Sequence, residues 1–198
     1  MSARVVAAFD FDGTLSTRDN VLPFVREAVG GRRLALALGA AAPHFAVRRR
    51  DAAKAAFLRR TLARHDDAEL RALGERFAGV VVEQHLRPDA VERVEWHRRQ
   101  GHELVLVSAS LTHYLEPIGA RLGFDAVLAT QLAVGPDGRL TGELAGANVR
   151  GEEKVRRLDA WLDGEAAYLW AYGDSGGDRE LLARCDRPIR VGRAKALR

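Results

Sequence analysis

The chain has 198 residues, of which 47% are hydrophobic and 29% are charged, so it is long and apolar enough to bury a real core. Its single cysteine, Cys185, excludes an internal disulfide and fits a cytoplasmic setting, and neither a signal peptide nor a membrane span is predicted. The formal net charge of +4 is carried mainly by arginine; because no nucleic-acid-binding motif accompanies it, it indicates a solvated surface or attraction of an anionic small substrate.

Short apolar runs that end in polar or glycine-containing turns predict a buried sheet. The predicted strands are Val5–Phe11, Glu103–Val107, Ala126–Leu132, Ala166–Tyr172 and Pro188–Val191. The helical patterns among them are Thr112–Leu122, Glu152–Leu162 and Asp178–Arg184. This alternation predicts an α/β fold with a parallel sheet covered on both faces. A turn signal at residues 135–138 predicts a small hairpin within Leu132–Leu144.

Residues 17–87 have a different pattern, in which strand signals nearly vanish. Apolar residues recur there at helical spacing over Val21–Val29, Leu34–Val47, Ala52–Leu62 and Leu70–Val82. We therefore predict a helical cap domain over residues 17–87, inserted after the first strand of a core domain that comprises residues 1–16 and 88–198.

The first predicted strand ends in an acidic motif, Asp10-Phe11-Asp12-Gly13-Thr14. Side chains two residues apart in extended chain can enter one crevice, and ligands bind at this end of parallel sheets. Two carboxylates so close raise each other's proton affinity unless a cation lies between them, which favours Mg²⁺. Gly13 and Thr14 would let the chain turn and offer backbone N–H groups to a phosphate. The alternative is a solvated Asp-Gly turn.

A second acidic turn follows the fourth predicted strand, where Asp174 and Asp178 could complete a metal site. The alternative interpretation is a loop followed by a helix cap. Ser108 follows another strand, and its hydroxyl and the N–H of Ala109 could bind phosphate at a helix N-terminus, although a serine there is also an ordinary cap. Lys154 suits a compact positive charge against phosphate, or it is a surface lysine.

These features together resemble the haloacid-dehalogenase superfamily of phosphohydrolases, and the helical insert resembles the C1-type cap of its subfamily IB, the phosphoserine-phosphatase-like branch. The matching residues are Asp10-Phe11-Asp12-Gly13-Thr14, Ser108, Lys154 and Gly173-Asp174-Ser175-Gly176-Gly177-Asp178. The resemblance covers nearly the whole chain. It implies a three-layer, Rossmann-like core and a magnesium-dependent phosphomonoester hydrolase acting on a small phosphorylated metabolite.

The resemblance also implies roles for the matching residues. Asp10 would be the nucleophile that forms an aspartyl phosphate, and Asp12 would be the general acid and base. Mg²⁺ would be held by Asp10, the backbone carbonyl of Asp12 and Asp174, with Asp178 orienting a bound water or the lysine from outside that ligand set. The phosphoryl oxygens would be bound by Ser108, Ala109 and Lys154, with Gly13 and Thr14 at the turn.

The cap is expected to select the substrate, with Asp19, Arg50 and Lys54 as candidate contacts. Asp19 stands where phosphoserine phosphatases carry a glutamate, and both the serine motif and the second acidic motif depart from their usual form. Phosphoserine, histidinol phosphate and glycerol phosphates therefore all stay open as substrates. The alternatives outside hydrolysis are a phosphotransferase or phosphomutase on the same fold, a non-catalytic phosphate-ligand-binding protein, and a signalling receiver domain.

Overall fold

The computed structural model describes residues 4–37 and 50–192, and of Arg50 it describes the backbone alone. Five strands form a parallel sheet in the order β3-β2-β1-β6-β7, and β4 and β5 form a separate antiparallel hairpin. The strands are β1 Val5–Phe9, β2 Glu103–Leu111, β3 Ala126–Thr130, β4 Leu132–Val134, β5 Leu140–Leu144, β6 Tyr168–Gly173 and β7 Arg187–Arg190. The predicted α/β class, the parallel sheet and the hairpin are confirmed.

Helices lie between successive strands of the parallel sheet. They are α1 Val21–Val29, α2 Arg50–Leu62, α3 Asp67–Gln84, α4 Pro88–Arg99, α5 Thr112–Leu122, α6 Glu152–Leu162 and α7 Arg179–Arg184. Residues 31–37 are also helical, and the remainder of the predicted helix Leu34–Val47 lies outside the described residues. None of the described helices is both long and apolar enough to cross a membrane.

The sheet has a separate apolar core on each face, because alternate side chains of a strand point in opposite directions. Phe9 of β1 packs with α4 and α5 on one face, where α1 to α3 extend the same core. Ala8 packs with Leu158 of α6 and Leu181 of α7 on the other face. Burial of each large side chain contributes about 1.5–3 kcal/mol, so these cores hold the strand ends in fixed register.

Strand boundaries differ from the predicted ones where polar residues begin. β1 ends at Phe9, two residues early, while β2 continues past its predicted end to Leu111. The pairing of β2 with β3 shifts register between Ser108 and Leu111, so a bulge carries the strand through this polar stretch. Ser108 therefore lies within a strand and not at a helix N-terminus, contrary to the prediction, because α5 begins only at Thr112.

Candidate active site

A cavity of ≈ 790 Å³ opens at the carboxyl ends of β1, β2 and β6. These strands are neighbours because β1 pairs with both β2 and β6, so the polar residues that follow them converge. The predicted core residues that line the cavity are Asp10, Asp12, Gly13, Ser108, Ala109, Lys154, Asp174 and Asp178. Four motifs that are distant in sequence therefore form one site.

Asp10 is fixed directly after β1 and is almost fully buried. Its backbone N–H donates to the carbonyl oxygen of Tyr172 at 2.9 Å, which continues the pairing with β6. One carboxylate oxygen, Oδ1, accepts a hydrogen bond from Lys154 Nζ at 2.6 Å, and Oδ2 accepts one from the Thr14 hydroxyl at 3.1 Å. Burial raises the pKa of Asp10 to about 6, although Lys154 opposes the shift.

Lys154 lies on the first turn of α6 and is 2% exposed. Its ammonium bridges Asp10 and Asp178, donating to Oδ1 of each at 2.6 Å. Burial alone would lower the pKa of Lys154, but the two carboxylates raise it above its ordinary value, so the amine stays charged. The interpretation of Lys154 as a surface lysine is wrong.

Asp178 directs its carboxylate toward Lys154 and the loop after β6. Oδ1 accepts from Lys154, and Oδ2 accepts from the backbone N–H and the hydroxyl of Ser175 at 3.0 Å and 2.9 Å. Burial raises the pKa of Asp178, but Lys154 outweighs it and holds that pKa below the ordinary range. Although Asp178 stands at the N-cap position of α7, its side chain makes no capping hydrogen bond.

Asp12 has a polar environment of its own, separate from Lys154. Oδ1 accepts from the side-chain amide of Asn20 at 2.7 Å and from its backbone N–H at 3.1 Å. Oδ2 accepts a short hydrogen bond from the Ser110 hydroxyl. Burial and the nearby Asp19 raise the pKa of Asp12 to about 7, although Ser110 and Asn20 oppose the shift. A carboxyl group with this pKa can both donate and accept a proton near neutrality.

Three carboxylates are placed to hold a hard cation. Oxygens of Asp10, Asp174 and Asp178 all lie within 4.8 Å of one another. Gly13 permits this placement: it has φ +81, and a Cβ at that position would come 2.8 Å from Cγ of Asp174. Carboxylate oxygens are the donors that Mg²⁺ prefers, so the residues present fit the predicted ion.

Two other predicted phosphate-binding residues, Ser108 and Thr14, differ in whether they line the cavity. Ser108 is buried, and its hydroxyl accepts the backbone N–H of Ser110 at 3.1 Å while lining the cavity. Thr14 is fully buried, and its backbone N–H donates to the carbonyl of Phe11 at 3.2 Å. This arrangement gives Thr14 the role of supporting Asp10 and argues against its contacting phosphate.

Two of the predicted cap contacts reach the site. Asp19 is exposed and lines the main cavity, as well as a second cavity of ≈ 290 Å³ that adjoins Asp12. Lys54 lines the second cavity; its ammonium donates to Asn148 Oδ1 at 2.6 Å and, through a short hydrogen bond, to the carbonyl oxygen of Ala109. Burial lowers the pKa of Lys54 to about 8. The side chain of Arg50 lies outside the described part of the chain.

Sequence reasoning missed three side chains that organise the site, namely Asn20, Ser110 and Asn148. Asn20 carries a usable signal, since it stands at the N-cap position before α1, but its amide turns to Asp12 and makes no cap bond. Nothing in the sequence indicates the hydrogen bond of Ser110 to Asp12, which joins positions 98 residues apart.

The chain is similar to known hydrolases along most of its length. The family described as haloacid dehalogenase-like hydrolase matches residues 7–183. Protein CicA of Caulobacter vibrioides is 36% identical over 198 residues, covering 96% of this chain and 88% of CicA. The histidinol-phosphatase of Neisseria meningitidis is 30% identical over 136 residues, covering 66% of this chain and 61% of that protein.

Solved structures share the fold. A protein of unknown function from Bordetella pertussis superposes with a TM-score of 0.82 at 28% identity, covering 96% of this chain and 90% of that one. A phosphoserine phosphatase in its apo form superposes with a TM-score of 0.66 at 19% identity, covering 92% and 83%. At that identity the second likeness shows the fold alone.

Proposed function

Because the chain belongs to the haloacid dehalogenase-like hydrolase family, we propose that it is a magnesium-dependent phosphomonoester hydrolase that works through an aspartyl phosphate on Asp10. One observation carries the proposal. Two buried carboxyl groups beside one cavity have opposite surroundings, since Asp10 accepts a hydrogen bond from a charged lysine and Asp12 accepts hydrogen bonds from neutral groups only. Different surroundings assign different chemical roles to paired carboxyls.

Asp10 supplies the nucleophilic oxygen. Its carboxylate attacks phosphorus as the bond to the leaving alcohol breaks, and Asp12 transfers its proton to the departing alkoxide. Water then attacks the aspartyl phosphate and gives a proton to Asp12, which releases inorganic phosphate and restores the Asp10 carboxylate. Because burial raises the pKa of Asp12 to about 7, the proton is available for the first step and can be recovered in the second.

Charge balance determines how a phosphate dianion can approach this site. Lys154 neutralises part of the charge on Asp10 and Asp178, and its ammonium would meet the phosphoryl oxygens together with the Ser108 hydroxyl and the Ala109 N–H. Mg²⁺ would be held by Asp10, Asp174 and the backbone carbonyl of Asp12, and when bound it supplies the positive charge that lets the dianion reach a carboxylate nucleophile. Asp178 would keep Lys154 in place.

We further propose that residues 17–87 form the cap of a core made of residues 1–16 and 88–198. Support comes from the second cavity beside Asp12, because Val21, Leu22 and Phe57 supply its apolar walls and all three lie on α1 or α2. A leaving group would occupy this space next to its proton donor. A small phosphorylated metabolite fits the ≈ 290 Å³ volume, and phosphoserine, histidinol phosphate and glycerol phosphates are the candidates to compare.

The test is inorganic phosphate release from a panel of phosphomonoesters, with Mg²⁺ or with chelator. We expect release that depends on Mg²⁺ and falls by about a thousandfold or more in Asp10→Asn, because an amide cannot replace the nucleophile. Asp163→Asn, which changes an exposed aspartate in the same way, is the matched control and should retain parental rates. A folded, magnesium-loaded parent that transfers the phosphoryl group to a second alcohol without releasing phosphate would favour a phosphotransferase or mutase and contradict the proposal.

A further inference from the structure

Asn148, in the loop between β5 and α6, is the centre of a hydrogen-bond network between the sheet and α2. Its Oδ1 accepts from Lys54 Nζ at 2.6 Å and from the Thr130 hydroxyl at 3.1 Å, and its Nδ2 donates to Asp51 Oδ1 at 2.7 Å. Asp51 and Lys54 are three residues apart on α2 and therefore share one helix face. One amide group thus contacts the end of β3 and two side chains of α2.

The sheet side of this network is rigid. Thr130 is fully buried at the end of β3, and its hydroxyl also accepts the backbone N–H of Val149 at 3.1 Å. Val149 is itself fully buried in the core below the sheet. The position of Asn148 is therefore set by the core, and Asp51 and Lys54 must adapt to it.

The network continues from Lys54 to the candidate acid and base. The same ammonium donates to the carbonyl oxygen of Ala109, and the next residue, Ser110, donates from its hydroxyl to Asp12 Oδ2. The backbone N–H of Ser110 donates to the Ser108 hydroxyl at 3.1 Å, which helps to hold the bulge of β2 at residues 108–110. A shift of α2 would therefore move the carbonyl of Ala109 and, with it, the hydrogen-bond donor of Asp12.

We propose that Asn148 is a positioning residue that couples the placement of α2 to the orientation of Asp12, through Lys54 and the segment 108–110. This inference rests on the proposed function, since it assigns Asp12 the proton transfer. Lys54 is a charged donor, and charge-assisted hydrogen bonds are stronger than neutral ones, so its part-buried bonds to Asn148 and Ala109 tie the position of α2 to both residues. The second cavity is lined by Asp51, Lys54, Asn148 and Asp12 alike, so the network surrounds the space assigned to the leaving group.

A side-chain swap tests the coupling. Asn148→Asp replaces the donor Nδ2 by an oxygen that faces Asp51 Oδ1, so two acceptors meet where 2.7 Å now separates a donor from an acceptor. Asp51→Asn retains an acceptor at this exposed position of α2, and a smaller loss is expected from it. The double variant Asn148→Asp with Asp51→Asn restores one donor and one acceptor in reversed order, while the remaining oxygen at position 148 can still accept from Lys54 and Thr130.

Two readouts distinguish positioning from general destabilisation. With the best ester and Mg²⁺, we expect kcat of Asn148→Asp to fall about tenfold with KM changed less than about threefold, and kcat of the double variant to recover to within about threefold of the parent. Hydrogen–deuterium exchange of metal-free protein should become faster in α2 and in residues 108–111 for Asn148→Asp, and return to parental rates in the double variant. Gln100→Glu, which adds one negative charge at an exposed position, serves as the charge-change control in both measurements.

The inference is overturned if the double variant is no better than Asn148→Asp, or if Asn148→Asp leaves both kcat and exchange unchanged. If Asn148→Asp does not fold, Asp51→Ala replaces it: loss of the acceptor at this exposed position of α2 should still speed exchange in residues 108–111, and unchanged exchange there refutes the coupling. A parent that releases no phosphate would refute the proposed function instead, and the exchange measurement would still decide whether α2 and residues 108–111 are coupled.

Discussion

Gly13→Ala should disable the site by moving a single carboxylate. The added Cβ would lie 2.8 Å from Cγ of Asp174 and closer still to Oδ2. Non-bonded carbon atoms approach to about 3.5–4.0 Å, so Asp174 must retreat by about 1 Å. A displacement of that size in a catalytic group costs about a hundredfold in rate, so we expect kcat/KM with Mg²⁺ to fall about a hundredfold.

The same substitution also strains the backbone, and this contribution needs a matched control. Gly13 has φ +81, and a non-glycine residue in that region costs about 1–2 kcal/mol. Gly101→Ala provides the control, because Gly101 has φ +71, is exposed, and a Cβ there would meet no atom of the described chain within 4 Å. Both variants should lose similar stability, whereas Gly101→Ala should keep parental activity.

Thermal unfolding measures the loss of stability, steady-state phosphate release measures the loss of activity, and titration by calorimetry measures the affinity for Mg²⁺. We expect equal falls in Tm, and a weakened Mg²⁺ affinity in Gly13→Ala alone. Parental kcat/KM in a folded Gly13→Ala would refute the reasoning, because Asp174 would then be dispensable or free to move. Equal activity losses in the two alanine variants would assign the effect to strain and not to the carboxylate.

Three other perturbations follow from the buried charges. Lys154→Met should lower the free energy of unfolding of the metal-free protein by about 3–5 kcal/mol in urea titrations, because Asp10 and Asp178 lose their buried partner; a loss under about 1 kcal/mol would contradict this. Ser110→Ala should lower kcat about tenfold in steady-state assays, since Asp12 loses a hydrogen-bond donor, and an unchanged kcat would remove Ser110 from the mechanism. Burial lowers the pKa of His97 to about 3, so as the pH falls below about 6.5 the unfolded chain takes up a proton that the folded chain does not, and stability is lost. Urea titrations at pH 7 and pH 5 should show a loss of stability about 1–2 kcal/mol smaller in His97→Gln than in the parent. Equal losses would refute the assignment.

Side-chain periodicity was sufficient for two of the helices that pack on the sheet, whereas α4 was not predicted. The predicted helices Thr112–Leu122 and Glu152–Leu162 match α5 and α6 at both ends. In each case the residue after the last helical one, Gly123 or Asp163, adopts a left-handed conformation. The glycine is a recognisable stop signal, since it reaches that conformation without the strain a Cβ imposes. Local chemistry sets these boundaries, so a local pattern predicts them.

Strand ends were less predictable because the neighbouring strand determines them. β2 continues through Ser108 to Leu111 because β3 pairs with it across a bulge, and no residue in the segment announces that pairing. The predicted strand Ala126–Leu132 is divided for the same reason, since Ala126–Thr130 pairs with β2 whereas Leu132–Val134 pairs with β5. A single apolar run of sequence therefore contributes one strand to each of two sheets.

Some residues of the candidate site are recognisable from local sequence motifs, whereas others become important only through tertiary contacts. The carboxylates, Ser108 and Lys154 could be proposed because each follows a strand or begins a helix, and the ends of parallel strands must meet. Asn148 and Ser110 could not, because their importance lies in partners such as Asp51 and Asp12 that are far away in sequence.

Charge balance is the physical argument for both a lysine and the proposed cation at this site. Asp10, Asp174 and Asp178 bring three carboxylates together, and Lys154 bonds two of them, Asp10 and Asp178. Buried charges are costly unless they are paired, so one ammonium leaves the cluster with excess negative charge. A divalent cation would cancel that excess and so remove the repulsion that a phosphate dianion would otherwise meet. Under the proposed function the acidic cluster favours Mg²⁺ before any substrate binds, so removal of the ion with a chelator should abolish phosphate release while leaving Asp12 and its hydrogen bonds in place.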